Sequence, residues 1–380
     1  MMSPLLRRGL LAGCLLFSSI VAMAEPGLSS HEVHIAMVNA QSGPAAALGL
    51  GMRRGAQALF DRANAEGGVH GRRITLLSLD DGYEPIRTAA HTQSLLQTQQ
   101  VFALLGYVGT PTSRAALPLA MAAQVPYLFP FTGAEFLRTP IKPWVFTIRA
   151  SYIEETEQLV ERVTQDLKLS KIAIMLQDDS FGESAKGGLN GALFKRGLTI
   201  HAQARIQRNS LDVAEAITAL QRTQPEAVFF VGTHTQLAAA IKQAKAQGFN
   251  TRFMTVSFIG TEGFIRAAGS DGDGVYISQV VPSPHDSSLA LVRAYQADMQ
   301  PGGFDHASLE GYIGATVFTQ ALRKAGPEPT RETFLDALER LDTDLGGFRV
   351  AFSRRRHQGS SAVFLTRIEN GQAVPVTTMR

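Results

Sequence analysis

ANAEGGVHGRRITLLSLDD, residues 63–81, runs from the end of one element into another of a different kind. Upstream, Ala56, Leu59, Phe60 and Ala63 recur at the three- and four-residue spacing of a helix face. Gly67-Gly68 then breaks the pattern, and ITLLSLDD (74–81) is a short apolar run that ends in two acids and reads as a strand. Before the helix, VHIAMVNA (33–40) is a second strand. After residue 81 come RTAAHTQSLLQTQ (helix), VFALLGYVG (strand), SRAALPLAMAAQ (helix) and PYLFPF (strand). Strictly alternating strands and helices build a parallel sheet with helices on both faces.

The alternation then starts again. WVFTIRAS (144–151) leads into the helical YIEETEQLVERVTQDL, followed by the strand KIAIMLQDD and the helix ESAKGGLNGALFKRG, ended by Gly197. LTIHAQARI, AVFFVGT, RFMTVSF and GVYISQVV (274–281) are strands; DVAEAITALQRTQ, HTQLAAAIKQAKAQGF, SSLALVRAYQADM and HASLEGYIGATVFTQALRKAG are helices. In the tail, GGFRVAFS and SAVFLTRIENGQAVPVT give two strand signals around a basic turn at Arg354–Arg356, expected to be a solvated hairpin. The chain has 380 residues, which at roughly 150 per domain predicts two domains. They join near residue 148. Ligands of open parallel sheets bind beyond the carboxyl ends of the strands. The informative tips are therefore 39–43, 80–83, 107–113, 129–135, 177–181, 232–235 and 257–260. LGYVGTPTS (105–113) stands out among them for its density of hydroxyls and glycines.

Composition narrows the function. The chain is 45% hydrophobic and 18% charged, as a packed globular protein is. Residues 1–24, MMSPLLRRGLLAGCLLFSSIVAMA, have Arg7 and Arg8, then an apolar stretch, then Ala22-Met23-Ala24. That is a secretory signal peptide with cleavage after Ala24. It carries two Arg and no acid, so its removal takes the net charge from +3 to +1. A nucleic-acid footprint is not supported. Leu11-Ala12-Gly13-Cys14 resembles a lipobox, with anchoring at Cys14 the lesser alternative, because the apolar run before it is very short. Cys14 is the only Cys, so the mature chain has no disulfide. No later run reaches the roughly 20 apolar residues of a membrane span.

Several motifs carry no chemistry. Gly49-Leu50-Gly51-Met52-Arg53-Arg54-Gly55 has one residue too many for a dinucleotide fingerprint and lies well past its strand. His31-Glu32-Val33-His34 lacks the spacing of a zinc helix, and Asp271-Gly272-Asp273-Gly274 lacks the later ligands of a calcium loop. No nucleophile elbow or phosphate loop occurs. Asp80/Asp81 and Asp178/Asp179 sit at strand tips, where acids act as caps. No metal, cofactor or catalytic residue is called for.

These residues carry a resemblance to a known family. Residues 63–81 resemble the segment N-x-x-G-G-(I/V)-x-G-(R/K)-x-(I/L)…D-D of type I periplasmic binding proteins, in the branched-chain amino-acid and amide branch (Leu/Ile/Val-binding protein-like). NAQSGPAAALG is similar to the family's first loop, QDDSFG to its D-x-x-(Y/F)-G segment, and RFMTVSFIGTEGF to the segment leading to its crossover. The resemblance covers nearly the whole mature chain, in order. It implies two Rossmann-like lobes joined by a three-stranded hinge, with a small solute trapped between them and delivered to an ABC permease in the inner membrane. A periplasmic sensor feeding a kinase or chemoreceptor is the alternative; a hydrolase on this scaffold has no support. Lobe one would be 31–148 with 282–340, and lobe two 149–281 with 341–380, in a monomer.

The resemblance also implies a site. The loop with Thr110 and Thr112 and the loop with Thr132 and Gly133 would hold a ligand carboxylate through hydroxyls and amides. Leu48, Tyr83, Tyr107 and Phe131 would wall one side, and Phe181, His234, Ser257 and Phe258 the other. Amino-acid-binding relatives place an acid in lobe two for the ligand's ammonium; Ser257, followed by Phe258, stands at that position here. An ammonium buried without a countercharge is costly, so a plain α-amino acid is in doubt unless Asp178 or Asp179 substitutes. Mass spectrometry of a periplasmic extract should give a chain starting at Glu25; a diacylglycerol-modified Cys14 would overturn that localisation.

Overall fold

The computed structural model describes residues 25–380; the signal segment, its cleavage site and Cys14 lie outside the described residues. Strands β1 (Glu32–Asn39), β2 (Arg73–Asp80), β3 (Ala103–Leu105), β4 (Tyr127–Leu128) and β5 (Val145–Phe146) form one parallel sheet in the order β2-β1-β3-β4-β5. Helices α1 (Ala46–Ala65), α2 (Pro85–Ser94) and α3 (Thr110–Ala122) connect them. The chain then forms α4 (Tyr152–Gln165), β6 (Ile172–Gln177), α5 (Ser180–Phe194), β7 (Gln203–Ile206), α6 (Ala214–Thr223), β8 (Ala227–Val231), α7 (His234–Ala246), β9 (Arg252–Thr255), α8 (Thr261–Ala268) and β10 (Tyr276–Gln279). Their parallel core has the order β7-β6-β8-β9-β10. Both lobes thus share one winding, with a switch point between the first strand and the third, where such sheets take ligands.

Both faces of each central strand are apolar because both are covered. In β1, Val33, Ile35 and Met37 join the core against α1, while Ala36 and Val38 face the α3 side with Tyr107 and Ala116. In β6, Ile172, Ile174 and Leu176 divide from Ala173 and Met175 in the same way. This is the near-continuous hydrophobic run of a buried parallel strand.

The C-terminal part returns to the first lobe and crosses back. Helices α9 (Ala290–Asp298), α10 (His306–Lys324) and α11 (Arg331–Glu339) follow β10, and α10 lies along α1. Strands β11 (Asp342–Asp344) and β12 (Arg349–Ala351) form a small antiparallel pair. Strands β13 (Phe364–Glu369) and β14 (Gln372–Val376) add antiparallel edges to the second sheet beside β10. The tail therefore differs from expectation. Arg354–Arg356 is an exposed turn, but its flanking strands belong to different sheets and do not pair. A Cβ on Gly346 would lie 2.8 Å from the Leu291 amide, and Phe352 packs on Phe129 and Phe146 at 6.3 and 5.3 Å. Residues 342–352 thus sit on the first lobe, whereas the division at residue 340 put them with the second. Helices α8 and α11 also fall outside the elements read from the sequence.

The glycines of the rejected fingerprint are explained by packing. On α1, a Cβ at Gly49 would stand 1.8 Å from the Ala40 carbonyl oxygen, and one at Gly55 would stand 1.7 Å from that of Ser308. From α10, a Cβ at Gly311 would meet the Met52 carbonyl oxygen at 2.2 Å. The two helices touch backbone to backbone. Gly55→Ala and Gly311→Ala should each destabilise the fold by about 2 kcal/mol or more, since overpacking typically costs about 1–3 kcal/mol. Gly187→Ala on α5, where a Cβ meets nothing within 4 Å, should stabilise by about 0.5–1 kcal/mol. Urea denaturation of the three variants checks the contrast, and equal effects would refute the close approach.

Candidate functional site

The stretch GYVGTPTS turns out to be a loop and a helix start. Strand β3 ends at Leu105, and Gly106 (φ +68°) and Gly109 (φ +108°) turn the chain so that α3 begins at Thr110. A Cβ at Gly109 would lie 2.3 Å from the Tyr83 ring, so both the backbone angle and the space require glycine. Thr110 Oγ1 lies 2.7 Å from Thr132 Oγ1, which in turn is 3.3 Å from the Tyr152 hydroxyl. Tyr152 opens α4, which is fixed by a capping box between Ser151 and Glu154. Three buried hydroxyls, two at helix starts and one in a loop, thus form one chain. Burial pushes the Tyr152 hydroxyl up to about 12, against the pull of nearby Arg149.

An aromatic group closes over these hydroxyls. Phe258 lies in a single helical turn, Ser257–Ile259, after β9. Its ring is 4.4 Å from Phe181, 5.8 Å from Phe131 and 5.9 Å from Tyr83, and Tyr152 is 5.4 Å from Phe181. Tyr83 and Phe131 come from the first lobe, Phe181 and Phe258 from the second, and none is more than 2% exposed. Tyr83 adopts φ +63°, held by its amide donating to Asp81 Oδ1 at 2.8 Å. Gln177 at the tip of β6 donates to the Tyr83 hydroxyl at 3.3 Å. Leu48 of α1 reaches across to Gly260, and His234 packs on Gly263. Burial, with Arg266 nearby, lowers His234 to about 4, so it is neutral.

Three predicted residues stand apart. The Tyr107 ring packs on Tyr127 in the core behind the sheet, and its hydroxyl pairs with Thr92 at 3.0 Å. Alternation along the chain sends Tyr107 to the face opposite Val108. The Thr112 hydroxyl is turned back onto the Val108 and Gly109 carbonyls within its own turn. Gly133 provides room: a Cβ there would be 2.6 Å from the Tyr152 ring. Neither acid proposed to receive an ammonium is free for it. Asp178 pairs with Arg205, and Asp179 caps α5 and pairs with Arg208.

The sequence reading did not include a buried charge cluster beside this seam. Arg149, fully buried, lies 4.2 Å over the Phe131 ring and donates through Nη2 to Ser257 Oγ. Its Nε is 3.5 Å from Glu310 Oε1, close enough for an ion pair but not aligned for a hydrogen bond. Glu155 Oε2 accepts from the Ser257 amide at 2.8 Å and from Ser278 Oγ at 2.7 Å. Arg138 donates to the Arg149 carbonyl at 3.0 Å. The available signal was periodicity: Glu155 occupies the stripe of Tyr152, Leu159 and Val163 that α4 buries. A charged residue on an apolar face needs a partner.

A family model described as "Periplasmic binding protein" matches residues 32–373. The leucine-specific-binding protein of Salmonella typhimurium is 22% identical over 92% of this chain and 98% of its own length. An amino acid binding protein of Pseudomonas aeruginosa is 24% identical over 82% of this chain and 81% of its own. Among solved structures, a possible leucine/isoleucine/valine-binding protein from Rhodopirellula baltica is 33% identical with a TM-score of 0.87, covering 94% of this chain and 98% of that one.

The cluster has a pH signature. Burial raises Glu310 from its ordinary 4.5 to about 7, outweighing the attraction of Arg149. A carboxyl raised on folding contributes stability that is fully present below its unfolded pKa and is lost as pH rises through the folded one. Glu310→Gln removes that loss. Relative to wild type, the variant should gain about 2–3 kcal/mol between about pH 5 and pH 8, at about 1.4 kcal/mol per pKa unit. His234 acts in the opposite direction, its contribution falling away as pH drops from 6.5 towards about 4, but it is common to both proteins and cancels. Calorimetric scans across this range check the difference; parallel profiles would exclude the raised carboxyl.

Proposed function

The chain belongs to the periplasmic binding proteins, a non-enzymatic family of solute binders, and we propose that it captures a small carboxylate- or amide-bearing solute between its lobes for an ABC importer. The observation that carries this is the seam itself: the Thr110–Thr132–Tyr152 hydroxyl chain under four aromatic rings supplied by both lobes. Hydroxyls suit a polar head, and the rings suit an apolar body. We take the lobes as residues 31–148 with 282–352, and 149–281 with 364–380, joined by the three crossings between them. The ligand contacts proposed are Leu48, Tyr83, Thr110, Phe131, Thr132, Phe181, His234, Ser257 and Phe258. The partner is an inner-membrane permease, met by a monomer in the periplasm.

Closure is supported by polar contacts between the lobes at two further places. Arg208 and Asn209, in the loop after β7, reach Glu84 at 3.1 and 2.6 Å. His306 of α10 pairs with Glu262 of α8 at 2.7 Å. Groups that meet only when the lobes close are groups that water solvates when they open.

A thermal-shift screen across amino acids, aromatic acids, amides and purines should find a solute that raises the melting temperature. At 100 times its dissociation constant a ligand stabilises the fold by about 2.7 kcal/mol. Small-angle scattering should show a smaller radius with that solute bound. Thr110→Ala and Thr132→Ala should each weaken its binding about ten- to hundredfold, since hydrogen bonds to charged groups contribute about 1.5–3 kcal/mol and 1.4 kcal/mol is tenfold. Variants that bind like wild type and melt like it would move the site elsewhere.

A further inference from the structure

We propose that Arg149 is the countercharge for the solute's carboxylate, so that the seam selects apolar monocarboxylates over α-amino acids. The inference rests on the solute-binding reading above and names its ligand class. The Arg149 side chain has no exposed surface, yet its Nε and Nη1 lack hydrogen-bond partners. Buried donors without acceptors are costly. Nε faces the misaligned Glu310, so Nη1 is the donor left open, and a planar guanidinium can pair Nη1 with Nη2 in a fork that matches a carboxylate in shape and charge.

Its surroundings favour an anion. The guanidinium lies over Phe131, one of the seam's rings, and is bonded to Ser257, the residue before Phe258. Its charge reaches the Tyr152 hydroxyl at the end of the hydroxyl chain. Guanidinium and hydroxyls together supply donors to one polar head, while Phe131, Phe181, Phe258 and Tyr83 enclose an apolar body.

The acids nearby do not make an ammonium site. Glu155 binds the Ser257 amide and Ser278 through Oε2, and its Oε1, though without a hydrogen bond, belongs to a carboxylate already balanced by the Arg149 charge; Asp178 and Asp179 are held by arginines. Glu310 is the remaining carboxyl against Arg149, and burial raises it to about 7, so its charge is weakened near neutral pH. Arg138, bonded to the Arg149 backbone, adds a second positive charge. An α-ammonium brought here would meet a cation.

Titration calorimetry on the mature protein tests this with four probes: 4-methylpentanoate, its amide, phenylacetate and L-leucine. L-leucine is 4-methylpentanoate bearing an α-ammonium. At least one of the two acids should bind, and 4-methylpentanoate should bind at least about tenfold tighter than either its amide or L-leucine. Arg149→Lys keeps the charge but loses the fork. It should weaken the acids by about ten- to hundredfold while changing the amide by less than about threefold. A purely structural arginine would weaken acid and amide alike, which would overturn the proposal. If Arg149→Lys does not fold, the wild-type ranking decides: L-leucine binding as tightly as 4-methylpentanoate, or tighter, overturns it. If none of the four probes binds while a solute of another class stabilises the protein, the proposal fails and solute binding stands. If no solute of any class binds, both fail.

Discussion

A guanidinium removed from water at the crossing between two lobes is the constraint on which the closed form depends. Arg149 lies in the short segment between β5 and α4, and its neighbours come from α4, α10 and the turn after β9. Dehydrating such an ion costs several kcal/mol even after relaxation, and good geometry is needed to offset it. Here the geometry is incomplete: one hydrogen bond to Ser257, the misaligned Glu310 carboxylate, the charge of Glu155 and one aromatic face. On the proposed reading, a solute that completed the set would contribute most at the point where closure is most expensive. The differential affinity for the closed form that a population shift requires has an identifiable source in this arrangement.

The rigid and adjustable parts of the molecule are separated. Helices α1 and α10 meet through glycine and backbone, and no rotamer change can absorb a displacement there. The seam is built instead from aromatic rings on loops and helix starts, where small movements change ring contacts without breaking a ladder. His306 and Asp305 open α10, so the rigid pair also presents Glu262's partner at the edge of the second lobe. The first lobe can therefore act as a fixed surface against which the second closes.

Much of the fold was legible because a parallel sheet buried on both faces gives dense apolar strands with helical spacing between them. The weak points have physical causes. VFALLGYVG, PYLFPF and WVFTIRAS are largely apolar over six to nine residues, but only 103–105, 127–128 and 145–146 form strands, with isolated bridges at Val108–Phe131 and Thr147–Gln358. Gly106 and Phe129, at φ +68° and +52°, take the chain out of the ladder. Hydrophobicity there records burial, not pairing. Among the residues that meet at the seam, Thr110, Phe131, Thr132, Phe181 and Phe258 were reachable from strand tips and motif resemblance. Tyr107 was misplaced because a one-residue step reverses the face. Arg149 escaped because its partner Ser257 is 108 residues away, and no spacing rule connects them.

On the proposed reading, Ser257 is where such a pair would set specificity. Its amide is held by Glu155 and its hydroxyl by Arg149, so the residue links an acid and a base on opposite sides of one turn. From sequence alone, a serine where relatives carry an acid reads as a missing charge. In the folded chain the difference is larger, because the position is bonded to a buried cation. An acid placed there would first pair with Arg149, as oppositely charged groups do when both are dehydrated, and would neutralise the guanidinium instead of creating a receptor for an ammonium. Changing the ligand's charge would therefore require altering Arg149 and Ser257 together. The two residues act as one unit, and their effects should not add.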